Sequence, residues 1–182
     1  MKIAAVFAFI ILAGCAATPE ALDSVAKTES ARMAAPTRPF STFASFELKP
    51  MVLSPAVSSE PGKVEAAGEL EARLRQKLQP LLDQWAAAPA GTRSGTLVIE
   101  PQLAGLRVVS GGARFWAGAM AGDSNIDLDL HITERETGQV IAKPRVARSA
   151  DAMTGGWSVG QSDENLLDYI CAIAYEYLSS HY

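Results

Sequence analysis

The residue with the clearest chemistry is Cys15, which closes Leu12-Ala13-Gly14-Cys15 behind an apolar run, Ile3 to Leu12, and a basic start at Lys2. That order is the pattern of a bacterial lipoprotein signal peptide over residues 1–14. Small side chains at 13 and 14 admit the chain to a lipoprotein signal peptidase, and the Cys15 thiol takes the diacylglycerol and becomes the acylated N-terminus. The apolar run is about ten residues, half of the ~20 a spanning helix needs, so it predicts a removable leader and not a transmembrane anchor. An ordinary secretory signal cleaved nearby is the alternative. One acyl chain holds a protein only marginally, whereas several make release negligible. Ala16 stands where Asp would be the usual inner-membrane retention signal, so the expected address is the periplasmic face of the outer membrane.

A second group that could do chemistry is Asp127, Asp129 and His131, spaced two apart on one polar face of an alternating stretch. Such carboxylates could hold a cation or divide acid and base roles. The plainer reading is the solvated face of a half-buried sheet, since polar-out alternation is what such a strand shows. A metal site would need ligands from elsewhere, and His181, near a C-terminus expected to fray, is a poor donor. HExxH and paired CxxC motifs are missing from the chain, and its serines have no base at motif spacing. No metal, cofactor or catalytic residue is therefore assigned. Acylation consumes Cys15, so Cys171 is left without an intrachain partner. It falls on the apolar side of a C-terminal helical pattern, as a structural thiol would.

Gly111 to Ser124, GGARFWAGAMAGDS, combines four glycines, two large aromatics and an arginine. It matches neither GxxxxGK[ST] nor GxGxxG and holds no lysine, which argues against a phosphate loop. Gly118 and Gly122 are four apart, as are Ala117 and Ala121. A helix here would carry a small-residue face open to close backbone approach. Phe115 and Trp116 then fill core space, insert at a membrane interface, or form with Arg114 a contact surface for a protein partner.

The rest of the chain supplies elements to position these groups. It has 182 residues, 16 Lys and Arg against 20 Asp and Glu, and no basic stripe, which excludes nucleic acid as the expected partner. Residues 15–39 are rich in Ala, Ser, Thr and Pro and predict a lipidated flexible tether, with a weak helical pattern through Leu22, Val25 and Met33. At ~5 to 6 Å × √n such a tether holds the domain ~25 to 30 Å from the bilayer. Residues 40–182 form a single periplasmic domain. Phe40 to Leu53 predicts a first strand broken or placed at an edge by Pro50. Lys63 to Ala88 is the clearest helix, with Leu70, Leu74, Leu78, Leu81 and Trp85 at helical steps and a kink or break expected at Pro80. Thr96 to Ser110 is a long strand interrupted by Pro101 and Gly105, where a bulge is expected. Asn125 to Thr133 alternates without a break, Gly138 turns the chain, and Gln139 to Ser149 returns as an edge partner marked by Pro144. A last helix follows Ser162. The prediction is an α/β (α+β) domain with a mainly antiparallel sheet of four to five strands and two main helices packed on one face.

Ile99-Glu100-Pro101, Gly111-Gly112-Ala113-Arg114, Ala117-Gly118, Ala121-Gly122-Asp123-Ser124, Thr137-Gly138 and the Tyr-rich terminal helix together resemble the bacterial lipoprotein family called domain of unknown function 4410, over about residues 41–182. More distantly the chain resembles auxiliary lipoproteins of ABC-type transporters. The resemblance implies a fold and an address, not a reaction. The expected function is a non-enzymatic envelope lipoprotein presenting a binding or accessory domain to a transport or surface-polymer complex. The alternative is a periplasmic hydrolase or metal-binding protein using Asp127, Asp129 and His131.

Overall fold

The computed structural model describes residues 19–89, 91–107, 124–149 and 161–182, and the side chains of all of these except 161–165. Cys15, Arg114, Phe115 and Trp116 lie outside the described residues, as does all of the glycine-rich stretch but Ser124.

The fold is α+β, with a mixed, mostly antiparallel sheet and helices on one face. Strand β3 (Thr96–Arg107) pairs along its length with antiparallel β4 (Asn125–Glu134). On the outer side of β3 lie β1 (Ser45–Leu48) and β2 (Val52–Leu53), both parallel to it. On the outer side of β4 lie β5 (Val140–Ala142) and β6 (Arg145–Ser149), both antiparallel to it. Six strands replace the expected four to five, yet they fill only four lanes. Each outer lane is split where a proline removes a ladder donor, at Pro50 and at Pro144. The chain still bridges the second split: Leu130 donates its N–H to the Pro144 carbonyl at 3.0 Å. The parallel pairing requires a crossover, supplied by α2 (Pro55–Ser58) and α3 (Pro61–Ala87).

The expected interruption of β3 is a register shift between Leu103 and Gly105. Alternation on both central strands then sends Leu97, Ile99, Leu103, Leu106, Ile126, Leu128, Leu130 and Ile132 to one face, all essentially buried. Against it pack α3, through Leu70, Leu74, Leu78, Leu82 and Trp85, and α4 (Gln161–Ser180), through Leu166, Ile170, Ile173 and Tyr177, in one hydrophobic cluster. Pro80 does not break α3. It and Gln76, whose carbonyl loses its partner, both sit at exposed positions, where water replaces the missing donor.

The predicted tether at 15–39 is corrected from residue 19 onward. Pro19–Ser30 is helix α1, laid along α4 with Ala26 and Ser30 each 3% exposed. The chain after it is also fastened. Tyr177 donates its hydroxyl to the Ala34 carbonyl at 2.9 Å, Thr37 N–H bonds the Ile141 carbonyl at 2.9 Å, and Phe40 N–H bonds the His181 carbonyl at 2.9 Å. The C-terminus is accordingly packed and not frayed. His181 lies against Phe40 and Tyr177, and Tyr182 stacks on Trp85 with ring centroids 4.3 Å apart. Arg93 closes this end by donating to the Phe43, Ala88 and Trp85 carbonyls, the last two at the end of α3.

Candidate functional site

Two regions collect polar chemistry: the sheet face turned away from the helices, and a cleft among α1, α3 and α4. On the sheet face the register aligns side chains in rows. Lys49 stands next to Glu100 and His131, and Val52 next to Gln102, Asp129 and Arg145. Gly105 stands next to Asp127 and Ala147.

The three predicted residues do share this face, but they do not converge. At about 3.3 Å per residue, Asp127 and His131 are ~13 Å apart along the strand. Between them Asp129 is already engaged. Arg145 grips it with both prongs, Nε to Oδ1 at 2.7 Å and Nη2 to Oδ2 at 2.8 Å. Asp129 is 8% exposed, and the Arg145 hydrogen bonds hold its carboxyl below the usual carboxylate range against the opposing effect of burial. It is a fixed anion with each oxygen engaged by the guanidinium. Asp127 folds over the β3 bulge, where its Oδ2 lies 2.9 Å from where a Cβ on Gly105 would stand. Glycine at 105 is what lets this carboxylate lie on the backbone. Among the described residues no three His, Cys, Asp or Glu side chains gather as a cation site would require. Arg145 was missed by sequence reasoning, although its register opposite Asp129 follows once the Gly138 turn is placed.

The β4–β5 turn concentrates a second set of charges. Glu134 accepts from Thr137 at 2.6 Å and pairs with Arg38, and these hydrogen bonds, Thr137 first, lower its pKa. Glu136 accepts the Thr96 N–H at 3.0 Å, which lowers its pKa likewise. Gly138, at φ +69°, takes the left-handed conformation the turn needs. These contacts fasten the hairpin to β3 and to the segment after α1.

The cleft has a volume of about 700 Å³ and lies between the first turns of α1, the middle of α3 and the middle of α4. Arg73 spans it, bonding Glu69 at 2.7 Å and Asp168 at 2.8 Å. Asp23 is held by Lys27 at 2.8 Å. Lys77 carries its ammonium 5.4 Å from the Tyr175 ring centroid. Cys171 lines the cleft but is 3% exposed, and burial pushes its thiol up to about 12. A thiol so raised is no nucleophile at neutral pH.

No family model matches the chain, and no curated protein matches it. The resemblance to domain of unknown function 4410 therefore rests on the motifs that carry it. Among solved structures the chain is similar to the PelC dodecamer from Paraburkholderia phytofirmans in two crystal forms. A point variant shares 10% identity over 81% of this chain and 95% of that chain at TM-score 0.47. The second form shares 8% identity with the same coverage and TM-score.

Proposed function

We propose that the chain is a non-enzymatic envelope lipoprotein, anchored by acylated Cys15 to the periplasmic face of the outer membrane and presenting its α+β domain to a transport or surface-polymer complex. The observation that carries this reading is the run from Met1 to Cys15, a short apolar leader closing on small residues and a cysteine. The placement of α1 gives it a physical form. With the helix beginning at Pro19, only three residues separate it from Cys15, and the four Cα–Cα steps span at most ~14 Å. The domain then sits against the bilayer and not ~25 Å away from it.

The anchor is tested by growing cells with labelled palmitate, with and without globomycin, and comparing wild type with Cys15→Ser. Label on the wild type alone, and accumulation of the unprocessed form with the inhibitor, is the expected result; an unlabelled wild type refutes the anchor. The accessory role is tested with a photo-crosslinking residue at Trp116, beside Arg114 and Phe115, in intact cells. A discrete protein adduct is expected. No adduct from a ring that also proves fully buried rejects this stretch as the partner surface.

A further inference from the structure

We infer that the cleft between α1, α3 and α4 is a binding site for a zwitterionic phospholipid headgroup, with the phosphate at Lys77 and the ammonium at Glu176. The inference rests on the reading of Cys15 as the lipidation site.

Its first ground is which charges in the cleft remain unmatched. Arg73 is satisfied by Glu69 and Asp168, and Asp23 by Lys27. Lys77 on α3 and Glu176 on α4 both line the cleft, and among the described residues neither has an opposite charge within ion-pair distance. One ammonium and one carboxylate are thus left without a direct ion pair on opposite walls, with Lys27 at longer electrostatic range of the carboxylate. A simple anion would meet Lys77 but be repelled by Glu176 and Asp23, and a simple cation would meet the reverse. A ligand carrying both signs, with phosphate and ammonium joined by a short link, satisfies both walls at once. The cleft volume of about 700 Å³ is in the range of small-molecule sites, and the Tyr175 ring beside Lys77 offers apolar surface to the link between the two charges.

The second ground is location. Pro19 lines the cleft and stands four residues from Cys15, so covalent reach keeps it within ~14 Å of the acylated cysteine. Headgroups of the leaflet that holds the acyl chains are therefore presented to the cleft at high effective concentration, and a weak intrinsic affinity suffices. Occupancy would fix how the domain stands on the membrane.

The test uses the full acylated protein, purified in a non-ionic detergent, titrated calorimetrically with glycerophosphoethanolamine, glycerophosphoglycerol and inorganic phosphate. These water-soluble probes carry the polar chemistry without partitioning into micelles. Saturable one-to-one binding is expected for glycerophosphoethanolamine, in preference to the other two. Lys77→Glu and Glu176→Lys should each weaken it by about tenfold, the effect of losing one well-placed charge contact. The double reversal, Lys77→Glu with Glu176→Lys, should restore it. Lys77 is exposed and Glu176 half-exposed, so the variants should fold, and unchanged thermal melting checks this. Equal or tighter binding of inorganic phosphate makes the cleft a free-phosphate site and overturns the inference, as does indifference to both substitutions. Acylated protein with no binding overturns the inference and leaves the anchor standing. Binding by a protein that mass spectrometry shows to be unacylated removes the anchor, and with it the membrane as the ligand's source.

Discussion

Asp129 shows how a residue in a promising pattern can be spent on structure. Its carboxylate is buried, while Arg145 lies mostly in solvent, its side chain 63% exposed, so screening limits what the guanidinium contributes and the arrangement matters most for leaving no orphaned buried charge. A carboxyl whose pKa is lower folded than unfolded adds stability that is present above its ordinary value near 3.8 and disappears as pH falls through the depressed one. Asp129→Asn should therefore be less stable than wild type at pH 7, with the gap closing progressively below about pH 4. Urea melts at pH 7 and pH 2.5 check this, and a gap that persists unchanged at the lower pH contradicts the assignment. Cys171 makes the complementary case. Its thiol, raised to about 12 by burial, should resist iodoacetamide at pH 8 in the native protein and react within minutes once urea unfolds it; rapid native labelling would show the helix interface open. The sequence placed Cys171 correctly on an apolar helix face but could not show that Asp129 was occupied. Period-two alternation says which residues share a face. It says nothing of whether they meet, and ~13 Å of strand keeps Asp127 from His131.

The elements most legible in the sequence were those whose buried residues are large. Leu70, Leu74, Leu78 and Trp85 announce α3, and the run from Ile126 to Ile132 announces β4, because each carries bulky side chains at the period its backbone imposes. Helix α1 was only faintly legible, for the converse reason. Its pattern suggested Leu22, Val25 and Met33, whereas the residues it buries are Ala26 and Ser30. Small residues let two helices approach closely, but they carry little hydrophobic signal and read as composition typical of a tether. The split outer lanes were half legible. Pro50 and Pro144 marked where ladders must lose a donor, yet nothing local showed that pairing resumes beyond each break. Close approach of α1 to α4 is itself testable. Ala26→Leu adds three carbons at a position 3% exposed on the face laid along α4 and should destabilise the domain by about 1–3 kcal/mol, while Ala21→Leu, at an exposed position of the same helix, should change stability by less than about 0.5 kcal/mol. Equal, small effects at both positions, measured by chemical denaturation, would mean that α1 is not docked in solution.

At the scale of the whole molecule, α1 and α4 run in the same direction: Pro19 and Asp168 share the cleft, and Ser30 lies beside Ser180 with hydroxyls 3.5 Å apart. Twelve residues of helix carry the chain ~18 Å from the first pair to the second. Beyond Ser180 lies the aromatic end formed by Phe40, Trp85, Tyr177 and Tyr182. Glu176 lines the cleft one turn short of Ser180, so a protein anchored at Cys15 and seated by headgroups at Lys77 and Glu176, as proposed, lies with α1 and α4 along the bilayer surface. An upright alternative, with α1 rising from the bilayer, lifts Ser180 and the aromatic end away from the lipid. Spin labels distinguish the two. They are placed singly at Glu20 and at Ser180, both exposed, in acylated protein reconstituted into vesicles with a membrane-restricted relaxing agent. The seated arrangement expects comparable relaxation at the two positions, and Lys77→Glu should lower it at Ser180 by loosening the seat. Strong relaxation at Glu20 with little at Ser180 in the wild type identifies the upright arrangement and contradicts seating at Glu176.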